Sequence, residues 1–236
     1  MKGERQPRLL LTAEQDCPYR EGLQARNIVL EPGSVRDRAD HTAFSSIGFR
    51  RSGEFLYRPH CRHCKACIPT RIPVRDFQWR RRHRRCLKRN SDLSVDTRPV
   101  TFDEEAYSLY QRYQRLRHGD GPMAEGDEHD YMGFIRSQWA DTRMSHFRLD
   151  GQLLMVVISD WLEDGLSAVY TYFDPDLTHR SLGQYGILWQ IEQVREAGLP
   201  YVYLGYWVQE SPKMRYKTDY RPIEMMIEGH WQSLST

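Results

Sequence analysis

A chain of 236 residues, 39% of them hydrophobic, has enough interior for one large or two small domains and needs no disulfide framework to fold. Its five cysteines are odd in number and clustered, which fits a reducing compartment. No signal-peptide pattern and no apolar run near the ~20 residues of a membrane span is present, so a cytoplasmic protein without a membrane partner is expected.

The net charge of +2 hides an asymmetry, because residues 1–100 carry 22 Lys and Arg against 11 Asp and Glu while residues 101–236 carry 12 against 21. A basic half joined to an acidic half predicts that one end meets a polyanion. The first chemically loaded segment is Cys61-Arg62-His63-Cys64-Lys65-Ala66-Cys67. Cys-x-x-Cys spacing lets a tight turn aim two sulfurs at one ion, so these three thiols, with Cys17 upstream, are candidate ligands for zinc or an iron–sulfur cluster. His60 or His63 could replace one sulfur in a zinc site. A loop of core thiols is the plainer reading of an isolated pair.

Ile68 to Val74 mixes turn formers and apolar residues, which predicts a small sheet with loops. The run Trp79-Arg80-Arg81-Arg82-His83-Arg84-Arg85-Cys86-Leu87-Lys88-Arg89 then makes Arg80, Arg81, Arg82, Arg84, Arg85 and Lys88 candidates for nucleic-acid phosphate, the competing reading being a solvated helix face. Asn90 to Pro99 reads as a turn-rich boundary. Two domains are therefore expected, a basic one with the cysteine cluster at 1–98 and a second at 99–236.

Beyond the boundary, Thr101-x-x-Glu104 has the capping-box form and Ala106, Leu109, Tyr110, Tyr113 and Leu116 follow at helical spacing. A second helix is expected over Asp130 to Trp139. Strands are predicted at Ser145 to Leu149, Leu153 to Trp161 and Leu166 to Phe173, divided by the hairpin signals Asp150-Gly151 and Glu163-Asp164-Gly165. A helix over Leu182 to Ala197 is stopped by Gly198 and Pro200, and strands at Tyr201 to Trp207 and Ile223 to Ile227 complete the pattern. The fold class is α+β, a mixed sheet with flanking helices and a smaller cysteine-containing N-terminal domain.

That element order is GNAT-like, the order of acyltransferases that splay two parallel strands and seat the acyl donor beside the intervening helix. In that superfamily an Arg/Gln-x-x-Gly-x-Gly/Ala loop cradles coenzyme A. Here Arg180-Ser181-Leu182-Gly183-Gln184-Tyr185 puts a bulky Tyr where a small residue is expected, which argues for a different donor. The free amides of a helix start still favour a negative charge.

At this point the chain resembles the aminoacyl-tRNA protein transferases over nearly its whole length. The resemblance is carried by Cys17-Pro18-Tyr19, Gly48-Phe49-Arg50-Arg51-Ser52-Gly53, Tyr57-Arg58-Pro59-His60-Cys61, Cys64, Cys67-Ile68-Pro69, Leu87-Lys88-Arg89-Asn90 and Arg117-His118. It continues through Tyr170-Thr171-Tyr172-Phe173-Asp174-Pro175, Leu204-Gly205-Tyr206-Trp207 and Ser211-Pro212-Lys213-Met214-Arg215-Tyr216-Lys217. The spaced Cys61/Cys64/Cys67 resembles the bacterial leucyl-transferring branch, since the eukaryotic arginyl-transferring enzymes have adjacent cysteines there.

The resemblance implies transfer of leucine from leucyl-tRNA to the α-amine of proteins or peptides beginning with Asp or Glu, which marks them for the N-degron pathway, with no cofactor required. It also implies that Cys17 meets the later cysteines. Because the donor ester is already activated, the protein has to align amine and carbonyl, take up a proton and stabilise an oxyanion. Asp174 is the first candidate for holding or deprotonating the amine, with Tyr170 and Tyr172 beside it; turn and core roles are the plainer readings. Ser181, Gln184, Tyr206, Lys213, Arg215 and Lys217 are candidates for the aminoacyl-tRNA end. Acceptor specificity demands a cation, for which Arg50, Arg51, Arg58 and Arg221 are candidates. His118 and His179 are further proton-transfer candidates. The competing functions are an arginyl-tRNA protein transferase, a coenzyme A-dependent acetyltransferase and a zinc-dependent nucleic-acid-binding regulator.

Overall fold

The computed structural model describes residues 7–117, 119 and 125–234. The first part of the chain forms β1 (Leu9–Leu11), β2 (Gln15–Asp16), β3 (Gln24–Ala25), β4 (Asn27–Leu30), α1 (Arg38–Ser46), β5 (Arg50–Ser52), β6 (Phe55–Pro59), β7 (Ile68–Pro73) and α2 (Arg81–Arg89). The remainder forms β8 (Ser94–Pro99), α3 (Glu104–Arg117), α4 (Glu128–Ile135), β9 (Asp141–Leu149), β10 (Gln152–Trp161), β11 (Gly165–Phe173), α5 (Leu182–Glu196), β12 (Tyr201–Trp207), β13 (Glu224–Ile227) and β14 (His230–Ser233). An eight-stranded mixed sheet runs β14-β13-β7-β12-β11-β10-β9-β8, and a four-stranded sheet runs β1-β4-β6-β5.

Between β11 and β9 in the large sheet lies β10, whose residues from Leu153 to Asp160 are all buried because both faces are covered. Leu154, Met155 and Val157 join the cluster under α5, whereas Leu153, Val156 and Ile158 join the one under α3 and α4. The hairpin from β9 turns at Asp150 (φ 49°) and Gly151 (φ 89°), the left-handed pair that a tight two-residue hairpin requires. Leu188, Ile191 and Val194 of α5 reach the sheet at helical spacing, and Gly186 lets that helix approach β10, since a methyl group there would lie 3.3 Å from Val157 Cγ2.

Several expectations shift. The cap of α3 is Asp103, whose Oδ1 accepts from Ala106 N at 2.9 Å, so Thr101 lies outside the helix. α4 begins at Glu128 on the cap Asp127 and stops at Ile135, because Gln138 N instead donates to Glu54 Oε1 at 2.8 Å. The turn-rich segment before residue 100 contains β8, a mostly exposed edge strand paired with β9. β7 is not confined to a small sheet: it pairs antiparallel with both β12 and β13 inside the large one. Among the described residues, no helix is long and apolar enough to cross a membrane.

Candidate active site

β11 and β12 run parallel only from Gly165/Tyr201 to Ser167/Tyr203 and then part. β12 carries an irregularity between Tyr203 and Gly205 against β7, with Gly205 at φ 82°. The gap is stitched by a side chain from the small sheet. Arg50 Nη1 donates to Ser167 Oγ (3.0 Å) and to the Tyr203 carbonyl (3.2 Å), and Nη2 donates to the Ala168 carbonyl. A β-carbon at Gly205 would lie 3.3 Å from Arg50 Nε, so only glycine gives the guanidinium this berth without crowding. Burial pulls the Arg50 pKa down, and the phenols of Tyr57 and Tyr206 oppose the shift.

Lys217 lies beside this stitch, not on a solvated loop. It is 4% exposed, and its Nζ donates to the Tyr206 carbonyl and lies 3.4 Å from Met214 Sδ. Burial, then the facing charge of Arg50, brings its ammonium down to about 7, against an opposite pull from Cys67. Tyr206 itself is buried, its hydroxyl donating to the carbonyls of Gly48 (3.0 Å) and Tyr57 (3.1 Å), which ties β12 to the small sheet.

Of the expected acid–base set, Tyr172 is fully buried, with its hydroxyl 2.6 Å from that of Tyr131, and belongs to the core under α3 and α4. Tyr170 is half-buried and accepts from Gln114 Nε2 at 2.9 Å. Burial raises both phenols, so neither is a ready base. Asp174 is held at the end of β11: its Oδ1 accepts from Asp176 N (3.0 Å) and meets Arg112 Nη1 (3.0 Å), while Arg112 also grips Asp176. Sequence reasoning missed Gln114 and Arg112. Gln114 had a legible signal, being a polar residue in the apolar register Ala106, Tyr110, Gln114 of α3.

The arginine run is helical. Arg80, Arg81, Arg84, Arg85 and Lys88 are exposed, whereas His83 and Cys86 face the core. Arg82 Nη2 donates to the Asp219 carbonyl (2.6 Å), next to the Lys217 segment. At the other end of α2, Asn90 Nδ2 donates to the Arg180 carbonyl (2.9 Å) and Arg89 to that of His179. α2 therefore bridges the two segments that flank the parted strands. Ser181 (φ 53°) opens α5 without a side-chain cap, and Gln184 is half-buried in its first turn. Tyr185 N makes the first bond back to Ser181, so three amides before it have no partner within the helix. Tyr185 packs edge-on against Phe147 in the core. Lys213 and Arg215 are exposed.

The other acceptor candidates separate. Arg51 is spent inside the protein: Nε and Nη2 bind Asp160 at 2.7 and 2.9 Å, and the remaining donors meet the carbonyls of Gly53 and Ile135. Thr142 and His41 complete that buried cluster, with Thr142 Oγ1 2.7 Å and His41 Nε2 3.9 Å from Asp160. Arg58 donates to the Ile47 carbonyl and lies 5.1 Å over the Phe49 ring. Arg221 has a buried Nη1 without a hydrogen-bond partner among the described residues. His179 offers its carbonyl to Arg89, and His118 lies outside the described residues.

Cys17, Cys61, Cys64 and Cys67 line one cavity of about 1240 Å³, and the first three all act on the Cys67 thiol. Arg20 Nη1 donates to Cys64 Sγ at 3.4 Å, Cys61 Sγ lies 3.9 Å from the Arg26 carbonyl, and burial with the neighbouring thiols pushes Cys67 up to about 12. Among the described residues, no three His, Cys, Asp or Glu side chains are grouped to hold a metal ion. The donor set as placed does not fit zinc or an iron–sulfur cluster, and that expectation finds no support.

Both sequence halves that build this site match known patterns. Residues 15–85 match the family described as arginine-tRNA-protein transferase, N terminus, and residues 105–227 match its C terminus. Proteins named aspartate/glutamate leucyltransferase are similar throughout. That of Alcanivorax borkumensis is 48% identical over 97% of this chain and 94% of its own, and that of Chromobacterium violaceum 46% over 94% and 92%. That of Pseudomonas aeruginosa is 46% identical over 95% of both chains. Among solved structures, the C-terminal domain of a putative lysylphosphatidylglycerol synthetase from Agrobacterium fabrum is 15% identical with a TM-score of 0.48, over 61% of this chain and 48% of its own. Since the matched halves meet where Arg50 crosses from the small sheet into the parted strands, and the likeness extends over nearly the whole length of each relative, this transferase belongs to the aminoacyl-tRNA protein transferase family.

Proposed function

We propose that this protein transfers leucine from leucyl-tRNA to the α-amine of proteins or peptides that begin with Asp or Glu, marking them for the N-degron pathway in the cytoplasm. The observation that carries this reading is the 45–48% identity, over almost the entire chain, to proteins named aspartate/glutamate leucyltransferase. In the reaction a carbon–nitrogen bond forms at the leucyl carbonyl, the ester bond to the ribose breaks, and the proton lost by the amine passes to the ribose oxygen. The ester supplies the driving force, so no additional cofactor is required.

The sheet is GNAT-like in this reading, with the donor entering where β11 and β12 part. Residues 1–98 serve chiefly to hold tRNA and residues 99–236 to carry the transfer. Arg80, Arg81, Arg84, Arg85 and Lys88 present an exposed cationic face to the tRNA backbone. Lys213 and Arg215 extend that face toward the acceptor end, and Ser181 and Gln184 turn the free amides of α5 toward the ester. Tyr170, fixed by Gln114, lines the leucine side, and Asp174, fixed by Arg112, positions the loop between them. A transfer assay crossing leucyl-tRNA and arginyl-tRNA with peptides that begin Asp, Glu, Lys or Arg tests the proposal. Transfer of leucine to the acidic pair alone is expected; a preference for arginyl-tRNA would support the arginyl-transferring alternative.

A further inference from the structure

We propose that Arg50 and Lys217 together form the pocket that reads the carboxylate of the acceptor's first side chain. This rests on the proposed leucyl transfer and names the residues that select its acceptor. The two cations approach β12 at successive positions: Arg50 Nε lies against Gly205, and Lys217 Nζ binds the carbonyl of Tyr206. They reach that place from opposite ends of the chain, one on β5 and one after β12.

A guanidinium has five N–H donors and an ammonium three. Protein partners take three from Arg50, namely Ser167 Oγ and the carbonyls of Tyr203 and Ala168, and two from Lys217, namely the Tyr206 carbonyl and Met214 Sδ. Donors therefore remain on both. Among the described residues, neither cation forms an ion pair with a carboxylate, whereas the neighbouring Arg51 is matched by Asp160. Asp160 also acts on Arg50, but its oxygens are already bound by Arg51 and Thr142. The phenols of Tyr57, Tyr206 and Tyr216 and the thiol of Cys67 are pushed up by burial and stay neutral, and burial lowers His41. A buried ammonium beside a half-buried guanidinium, with the nearest carboxylate already spent on Arg51, is costly, and an anion brought from outside completes the cluster.

The depth of Lys217 favours a carboxylate over a tRNA phosphate. Lys217 is 4% exposed, so an anion borne on one or two methylenes reaches it more readily than a phosphodiester flanked by riboses. The exposed arginines of α2 are already suited to phosphate. Holding the carboxylate here also keeps the acceptor's α-amine close to two positive charges, which disfavours its ammonium form and delivers the neutral nucleophile.

The test uses the full chain, leucyl-tRNA, and peptides that differ only in beginning with Asp or Asn. Lys217→Met keeps the length of the side chain and removes the charge. It is expected to raise the KM of the Asp peptide ten- to a hundredfold, as loss of a charge-assisted hydrogen bond does, to erase the preference for Asp over Asn, and to leave the KM for leucyl-tRNA unchanged. Lys217→Arg should recover part of the preference. Calorimetric binding of the two peptides without tRNA should show the same loss, so the pocket is tested even if the wild-type protein proves not to transfer leucine. Should the methionine variant fail to fold, the NMR signal of Lys217 Cε in the wild-type protein decides, shifting with the Asp peptide and not with the Asn peptide. A folded variant with its preference intact, a KM change confined to leucyl-tRNA, or a wild-type signal that responds equally to both peptides overturns the assignment.

Discussion

Neighbouring arginines in the sequence have opposite fates. Arg50 keeps spare donors in the gap between parted strands, whereas Arg51 is consumed by Asp160 and two carbonyls. Strand alternation sends consecutive side chains to opposite faces, so a dipeptide of identical residues serves a site with one member and a core with the other. Arg51→Met should cost about 3–5 kcal/mol in urea denaturation, because it leaves Asp160 a buried charge without its partner. Tyr172→Phe removes only the hydrogen bond with Tyr131 and should cost about 1 kcal/mol with kcat unchanged, which would place Tyr172 in the core rather than at the reacting atoms. The sequence could not make these distinctions: residue types were visible, but the depth of each side chain depends on which strands face it.

Elements with strong periodicity were legible. α3, α5, β10, β11 and β12 lie within a few residues of their expected bounds, since apolar spacing and flanking Gly or Pro mark both their faces and their ends. β8 and β14 were not legible, because exposed edge strands lack an apolar stripe, and α1 is too polar to announce itself. The gap that receives Arg50 was equally hidden, as a ladder that stops after three residue pairs leaves no mark in composition. α2 is the element whose role can be separated from stability. Its arginines at 80, 81, 84 and 85 are exposed, so their joint replacement by Gln should leave the melting temperature nearly unchanged. The same change should raise the KM for leucyl-tRNA and flatten its salt dependence by roughly one unit of slope for each phosphate no longer neutralised.

At the scale of the molecule, the two sheets are locked together by the buried cluster of His41, Arg51, Thr142 and Asp160, and this makes the whole fold acid-sensitive. His41 has no hydrogen-bond partner for either ring nitrogen among the described residues, and burial lowers its pKa to about 4; Asp160 opposes that shift, and Arg51 and Arg50 add to it. Its folded pKa lies below the ordinary 6.5, so the unfolded chain binds the extra proton first as pH falls. Stability is then full above about 6.5 and declines as pH drops toward 4, by on the order of 3 kcal/mol. Urea midpoints measured across that window should show the decline, and His41→Gln should flatten it.

The place of β7 between β12 and β13 has a consequence for how the protein is made. Residues 74–200 must leave the ribosome before the first of these partners exists, a wait on the order of ten seconds at about 5–20 residues per second. During that interval β7 is an open strand edge, the kind that recruits other chains. Its sequence, Ile68-Pro69-Thr70-Arg71-Ile72-Pro73, carries two prolines and an arginine among its six residues, which blunt such pairing until the proper neighbours arrive. A chain cut between residues 98 and 99 should accordingly give two fragments that are insoluble when produced separately and soluble together when co-expressed. Replacing Pro69 and Pro73 by Val should increase aggregation during synthesis more than it lowers the stability of protein already folded.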